Sequence, residues 1–400
     1  MNNNISMKPS FVLLFSIRLH NSFKGFGTLP PDISPLSSDQ TSRYLAQLGT
    51  FETRLLGKKF YETKRLTRLP LGRIMLHEQS QESPTYADVY LLTHKSGAAL
   101  WEVWLYAPLQ PFNVARWIHW LDPEAPNSLV AQVWNTLGTV NKTITGKSLW
   151  RGQYFPITLL QTQSNSLQNI LEMHGADLIR QLFLDHSHKP LKSRVVTEEL
   201  SRDYCSREGG LTLLGRKSGL DVRVNEDISD GMHGEEFPSN STLPFLITIE
   251  LLLLERMALT HLYEHLSNRM PSSIEELLTL KQETLNALEE YYGAITNATH
   301  FSDAVTTDGE RLLGLNDLYD AVMDRLEVVS FTITTRYQNQ MTLVGFWLTV
   351  IFGATEIGFI ASGIAAWYYH TELFSVLAWT ILPTIVTAIF LWLILRKKVQ

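Results

Sequence analysis

The last sixty residues constrain this chain most strongly. No Lys or Arg occurs from Tyr337 to Leu395, and two apolar runs, Met341–Tyr369 and Ser375–Leu395, fill most of that stretch. A helix needs about 20 apolar residues to cross a bilayer that is about 30 Å thick. Since only five residues separate the runs, we expect a tight reversal and therefore a transmembrane hairpin over residues 337–400.

The basic residues around the hairpin predict its orientation. They precede the first run and follow the second, and the turn between the runs has none: Arg325, Arg336, Arg396, Lys397 and Lys398. Cytoplasmic flanks of membrane helices are enriched in Lys and Arg. We therefore expect a multi-pass protein of the plasma (inner) membrane, in contact with the lipid bilayer, whose termini both face the cytoplasm.

Composition narrows the function classes. The formal net charge is −6, and no local basic patch stands out, so we expect no nucleic-acid partner. Cys205 is the only cysteine, which excludes an internal disulfide and agrees with a reducing compartment. The apolar run Phe11–Phe15 is too short for a secretory signal, and its alternation favours a strand.

Residues 1–240 predict a cytoplasmic α/β domain. Two segment pairs read as β-hairpins, with turns at Lys95-Ser96-Gly97 and Lys217-Ser218-Gly219. Helical periodicity predicts helices over Val114–Leu121, Leu129–Leu137 and Leu167–Leu184. Four closely spaced tryptophans of this domain are more typical of a core than of a ligand site: Trp101, Trp104, Trp117 and Trp120.

Residues 241–336 predict a helical stalk region. The first helix, Leu243–Leu266, contains Glu250, Glu255 and Arg256, which favours packing against a neighbour over a membrane span. Ser272 opens a capping box for a second helix, and Thr307–Glu310 caps a third.

The third helix carries a heptad seam. Apolar residues recur at alternating intervals of three and four: Leu312, Leu315, Tyr319, Val322, Leu326, Val329 and Ile333. No Pro or Gly follows Gly314 until Gly345, so we expect one helix to continue from the stalk into the first span. A heptad seam is typical of helices that pack on parallel copies. The pattern therefore predicts a homo-oligomer whose first spans surround a pore.

In this order of elements the chain resembles the CorA family of divalent-cation transporters. That resemblance implies an α+β membrane protein with an N-terminal cytoplasmic α/β domain, a long helical stalk and two C-terminal transmembrane helices, assembled as a homopentamer. The resemblance covers the C-terminal 160 residues well, whereas the first 240 residues resemble the family only in their α/β class.

The sequence departs from this family at the outer end of the first span. The segment Phe359–Ile364 resembles the family's approach to its Gly-Met-Asn motif, but Ala366, Trp367 and Tyr368 stand in the place of the motif itself. In the family this turn binds the hydrated cation. The architecture therefore carries over, while the ion, Mg²⁺ or another, stays open.

Glu356 is the only acid in either span. We expect six residues to line the pore: Thr342, Thr349, Glu356, Ala366, Trp367 and Tyr368. A carboxylate in a membrane helix usually faces an aqueous path or the interior of a bundle. The alternatives are a protonated glutamate bonded between helices and threonines that bond back to the backbone. His370 and Glu372, on the outer turn, are candidates for concentrating cations there.

The stalk carries an acidic stripe: Asp317, Asp320, Asp324 and Glu327. In CorA relatives, stalk carboxylates at subunit interfaces bind regulatory divalent cations, and the resemblance implies the same for these four. Like charges brought together across an interface are relieved by a hard cation. The alternative is an ordinary solvated helix face.

Two further motifs are weak. His261, Glu264 and His265 have the spacing of an inverted zinc-protease motif but no evident third ligand. Gly146-Lys147-Ser148 resembles the end of a P-loop, but Asn141 stands where that motif needs glycine. We therefore expect that this protein is not an enzyme.

Two hypotheses follow. The first is a CorA-like channel or transporter that conducts cations through the first spans, with a divalent cation as substrate or regulator. The second is a ligand-gated membrane effector, for example in nucleotide-signalled phage defence, whose soluble domain senses a small molecule. A scaffold merely anchored by the hairpin is a third reading, and it predicts that Glu356 is dispensable.

Overall fold

A computed structural model describes residues 5–19, 33–56, 66–77, 82–146, 149, 154–162, 166–187, 189–224, 242–268, 275–276, 278–279, 282, 300–368 and 373–399. Several sequence predictions lie outside these ranges: the capping box at Ser272, Lys147 and Ser148 of the P-loop-like segment, and the outer-turn residues His370 and Glu372.

The described residues form an α+β protein. Its strands are β1 (Ser6–Arg18), β2 (Ile33–Ser34), β3 (Leu66–Met75), β4 (Tyr86–His94), β5 (Ala98–Tyr106), β6 (Gln110–Pro111), β7 (Tyr154–Thr162), β8 (Gly210–Leu214) and β9 (Gly219–Val224). Its helices are α1 (Ser38–Leu56), α2 (Val114–Leu121), α3 (Leu129–Thr145), α4 (Leu167–Phe183), α5 (Ser193–Leu200), α6 (Leu243–Asn268), α7 (His300–Leu312), α8 (Leu315–Tyr368) and α9 (Leu373–Val399).

All nine strands belong to one sheet in the order β2-β3-β4-β5-β1-β7-β9-β8, and the short β6 pairs with β1. Neighbouring strands are antiparallel except for β7 and β9, which run parallel. Both predicted hairpins are confirmed as β4–β5 and β8–β9. Gly97 in the first turn has φ +84°, a conformation that glycine adopts without steric cost.

Strand β1 lies in the middle of the sheet and is buried on both faces. Phe11, on one face, contacts the rings of Trp117 and Trp120 of α2 at centroid distances of 6.5 and 6.0 Å. On the other face Leu14 is paired with Glu102 of β5, and helix α6 packs against both strands. The alternation seen in the sequence therefore predicted the strand but only one of its two buried faces.

The first and last predicted helices of the α/β domain agree with α2 and α4 within a residue, whereas α3 continues eight residues beyond Leu137. The four tryptophans are buried, as predicted. Helix α6 matches the expected Leu243–Leu266 helix and packs against the sheet, α1 and α7.

The predicted start of the third stalk helix is wrong. Residues 307–310 lie inside α7, which begins at His300, and the chain turns at Leu313 and Gly314 before α8 begins. Gly314 has φ +69°, the left-handed conformation that commonly ends a helix. The seam residue Leu312 therefore belongs to a different helix from the other six.

Contacts divide the chain into two compact units. The first comprises Met1–Asn268 with Lys281–Met323, and the second comprises Arg269–Leu280 with Asp324–Gln400. The boundaries expected from the sequence, after residues 240 and 336, stay predictions.

Candidate functional site

The candidate pore residues form one line along α8. Thr342, Thr349 and Glu356 are seven residues apart, and all three side chains are exposed in the single chain. Positions seven apart on a straight helix differ by only about 20° around its axis. The three polar side chains therefore follow one narrow stripe.

The contact between α8 and α9 lies on another face of α8. Val350, Ala354 and Gly358 are buried at intervals of four, and a Cβ added to Gly358 would collide with the hydroxyl of Thr384 on α9. Glu356 is two residues from both Ala354 and Gly358, which is about 200° around the helix. Its carboxylate is therefore directed away from α9.

The threonine hydroxyls bond to the backbone. Thr342 donates to the carbonyl of Gln338 at 2.8 Å, and Thr349 donates to that of Gly345 at 2.9 Å. Thr355 does the same with Ile351 at 2.6 Å. This is the alternative that the sequence left open, but each bond uses only the proton, so the oxygen lone pairs stay available to a cation.

The C-terminal end of α8 stays helical through Tyr368. Ala366 is half-buried, whereas Trp367 and Tyr368 are 81% and 69% exposed. The slot that matches the Gly-Met-Asn motif is therefore the last part of a helix here. Exposed Trp and Tyr at a helix end are typical of a membrane–water interface.

The heptad seam is buried within a single chain. Leu315, Val322, Leu326, Val329 and Ile333 are each at most 5% exposed, and Tyr319 is half-buried. The apolar pattern thus identified a buried face correctly. Its burial does not require the parallel copies that the sequence suggested, and the homo-oligomer stays a prediction.

The acidic stripe faces solvent in the single chain. Asp317, Asp320, Asp324 and Glu327 are all exposed, on the side of α8 away from the seam. Within the described ranges, no three His, Cys, Asp or Glu side chains converge on a point where they could hold a metal ion. His261 and His265 of the zinc-protease-like motif, whose ring centroids are 6.1 Å apart, also belong to no such group.

Helix α8 is long and apolar enough to cross a membrane, judged by length and composition alone. In α9 the corresponding described stretch is the shorter apolar segment Val376–Phe390. Length and composition are weak evidence for insertion when only one or two such helices occur.

The first unit contains a buried ionic cluster that sequence reasoning missed. Arg68 of β3 pairs with three carboxylates from three different elements: Glu52 of α1, Glu102 of β5 and Glu250 of α6. The Nε–Oε2 distance to Glu102 is 3.0 Å. Tyr44 also donates to Glu102, and Trp104 donates to the same carboxylate at 2.7 Å. One arginine thereby joins the sheet to both helices.

Three carboxylates around one guanidinium leave an excess of negative charge. Burial raises the pKa of Glu250 well above its usual range, and the charges of Glu102 and Glu52 add to the effect against the opposing influence of Arg68. Burial alone would lower the pKa of Arg68, but its three acidic neighbours raise it. The protonated form of Glu250 is therefore more favoured than that of a solvent-exposed glutamate. The signal in the sequence was the presence of acids, Glu250 among them, in a very apolar helix.

A cleft of about 900 Å³ opens in the first unit. Basic side chains of the β8–β9 turn and of α6 line it, together with the last residue of α7 and the residue after it: Arg216, Lys217, Arg256, Leu312 and Leu313. Tyr154, Phe155 and Phe183 add aromatic surface. Its volume is in the range of small-molecule sites.

Comparison of the chain with protein-family models, with curated proteins and with solved structures found no match. The functional conclusions below therefore rest on the residues and geometry of this chain.

Proposed function

We propose that this chain is the subunit of a homo-oligomeric, CorA-like membrane channel or transporter that passes cations along α8, and that it is not an enzyme. The observation that carries the proposal is the exposed stripe of Thr342, Thr349 and Glu356 on a face of α8 that α9 does not cover. Around a symmetry axis, copies of Glu356 form an acidic ring, which attracts cations. We propose five copies, as in the resembling family.

In this proposal the hairpin spans the plasma (inner) membrane with both termini in the cytoplasm. Trp367 and Tyr368 lie at the outer interface, followed by His370 and Glu372 on the outer turn. Trp and Tyr do not supply the ring of oxygen acceptors that hydrated Mg²⁺ prefers. The proposal therefore names a cation, with Mg²⁺ as one candidate, and includes no nucleic-acid partner.

The acidic stripe gives a place for regulation by divalent cations. Asp317, Asp320, Asp324 and Glu327 are exposed, so copies of this surface facing one another would repel. A divalent cation between subunits relieves that repulsion through carboxylate oxygens. We propose this stripe as a regulatory site that exists only in the assembly.

Flux through liposomes tests the channel. Purified full-length protein is reconstituted and assayed separately with Mg²⁺, Zn²⁺, Ni²⁺ and K⁺. We expect at least one ion to pass, and Glu356→Gln to lower that flux at least tenfold, because it removes the charge that attracts the cation to the pore.

Glu208→Gln is the matched control, since Glu208 is an exposed acid of the first unit. It should leave flux unchanged. Absence of flux for every ion, with and without cytoplasmic ligand, would overturn the channel. Flux that Glu356→Gln leaves intact would overturn the role of the stripe and favour a mere anchor.

A second candidate function is the ligand-gated membrane effector, in which the soluble domain is a sensor. The observation that favours it is the cleft beside Leu312 and Leu313, the residues that immediately precede Gly314 and α8. Flux or cell toxicity that appears only with a small-molecule trigger would select this candidate over a constitutive transporter.

A further inference from the structure

The cleft is built around a rigid basic turn. Arg216 and Lys217 lie between β8 and β9, where the amide of Gly215 donates to the carbonyl of Ser218 at 2.9 Å. The Ser218 hydroxyl in turn donates to the carbonyl of Leu182 at the end of α4. The turn is thereby fixed to a helix end, and its two cationic side chains extend from a defined backbone.

Arg256 of α6 adds a third cation to the same cleft. Partial desolvation lowers the pKa of Arg256, and the like charge of Arg216 lowers it further. Among the contacts of the described residues, the side chains of Arg216, Lys217 and Arg256 form no ion pair or hydrogen bond; the Thr260 hydroxyl donates only to the backbone carbonyl of Arg256. Three cations brought together without carboxylate partners repel one another, and a multivalent anion would relieve that repulsion.

Among the described residues that line the cleft, the acids are Asp122 and Glu124. The Oδ2 atom of Asp122 lies 3.6 Å from the Nε2 atom of His186. Glu124 has other interactions. Neither is paired with the three basic residues. The cleft therefore has one cationic part and one part with hydrogen-bond acceptors.

Most of the remaining wall is apolar, although Ser16 and Thr260 also line the cleft. Phe155, Leu253, Met257 and Leu313 are buried, and Phe183 and Leu184 are half-buried. Leu184 has φ +50°, a left-handed conformation that is rare for a bulky residue. A cleft of about 900 Å³ holds much more than an inorganic anion, so its apolar wall has room for the body of an organic ligand.

We propose that this cleft binds an organic phosphate, with the phosphate groups on Arg216, Lys217 and Arg256 and an apolar or aromatic body against Phe155, Leu253 and Met257. Arginine favours phosphate because its planar fork donates two parallel hydrogen bonds. Clustered cations favour a polyphosphate over a singly charged anion.

The cleft also touches the turn that begins α8. Leu312 and Leu313 line it, and the amide of Leu318 donates to the carbonyl of Gly314 at 3.2 Å in the first turn of α8. A ligand in the cleft would contact this turn directly. We therefore assign the ligand a regulatory role, and this part rests on the proposed channel function.

Binding is measured on the full-length chain in detergent, so the result does not depend on conduction. The probes are ATP, GTP and inorganic pyrophosphate, and the readouts are the thermal unfolding midpoint and calorimetric titration. We expect saturable binding of at least one nucleotide, tighter than that of pyrophosphate. The double variant Arg216→Glu/Arg256→Glu should weaken it at least tenfold, because repulsion replaces two charge-assisted contacts.

Arg194→Glu is the matched control, because Arg194 is an exposed arginine of α5 outside the cleft. It should bind like the unmodified protein. Absence of saturable binding for all three probes, or equal binding by the double variant, would overturn the site. Pyrophosphate binding as tightly as the nucleotides would overturn the role of the apolar wall.

Regulation is tested in liposomes with the nucleotide that binds most tightly. We expect it to change cation flux at least threefold in the unmodified protein and not in the double variant. Binding without any change in an otherwise measurable flux would overturn the regulatory role. Loss of flux under all conditions would instead count against the channel, so the two failures differ.

Discussion

At the scale of single residues, the acids of α6 show how a buried carboxyl is accommodated. Glu250 faces Arg68 and two other carboxylates, so it belongs to an ionic cluster. Glu255, 6% exposed, has no such cluster, and burial, with the charge of Glu310, raises its pKa to about 7. Its neutral form is therefore favoured in the fold, which links stability to pH.

Stability of the first unit should fall as pH rises through 7. The pKa of Glu255 is higher in the folded chain than the ordinary value of 4.5, so the folded state binds more protons between these values. The stabilising contribution of its proton is complete below about pH 4.5 and is lost through pH 7. It amounts to about 3 kcal/mol at most.

Thermal unfolding midpoints from pH 5 to 8.5 measure this effect. Glu255→Gln should flatten the decline, because the amide stays neutral throughout. Glu264→Gln, an exposed position on the same helix, should keep the slope of the unmodified protein. Equal slopes for all three proteins would contradict the assignment to Glu255.

At the scale of elements, the pairing of α8 with α9 depends on a small residue. Gly358 lets the helices approach until the Thr384 hydroxyl fills the space of the missing Cβ. Thr384 also donates to the carbonyl of Thr380 at 2.6 Å, which fixes its side chain. Close approach through small residues is a common way for membrane helices to associate.

Gly358→Ala should weaken this helix pair. The added Cβ would also lie 3.2 Å from the carbonyl oxygen of Thr380, so α9 itself must move, at a cost of about 1–3 kcal/mol. Thermal unfolding in detergent measures the loss. Gly345→Ala is the matched control, because nothing lies within 4 Å of its Cβ position. Equal midpoints for both variants would contradict the close approach.

Sequence periodicity predicted most of the elements but not their joints. The hairpins, α2, α4 and α6 follow from local patterns of apolar residues and turn chemistry. The seam continued in phase across Leu313 and Gly314, so periodicity alone could not reveal the end of α7 there. Gly314 was the available signal, since a glycine with positive φ ends many helices.

The residues of the candidate sites could likewise be predicted from the sequence only in part. Glu356 and the acidic stripe were visible because charged residues stand out in regular patterns. The Arg68 cluster was not, because its four members are spread over residues 52 to 250 and only the sheet order brings them together. The cleft likewise combines residues that are far apart in sequence.

At the scale of the whole molecule, exposed apolar side chains are unevenly distributed. Most of the large ones among the described residues lie between positions 323 and 390, whereas the described part of the sheet unit has few. An apolar surface of this extent is normally covered by lipid or by other subunits. This distribution agrees with the proposal of an oligomer in a bilayer.

Native mass spectrometry of the detergent-solubilised protein measures the copy number. The sequence mass is 45.6 kDa, and we expect assemblies of five chains, because Glu356 and the exposed face of α8 need neighbours to enclose a path. As a control, the measurement is repeated at a very low detergent concentration after purification, which tests whether micelles dissociate the assembly. A monomer in every detergent would contradict the oligomer.

Strand β1 has a consequence for how this protein is made. It precedes both strands that flank it, β5 and β7, and the register pairs Phe15 with Trp101 on one side and Tyr154 on the other. During synthesis, more than a hundred further residues must therefore be added after β1 before both of its edges can pair with β5 and β7. Such non-local pairing slows folding and produces intermediates that expose apolar surface and are prone to aggregation. We therefore expect the nascent chain to bind chaperones that recognise extended apolar segments.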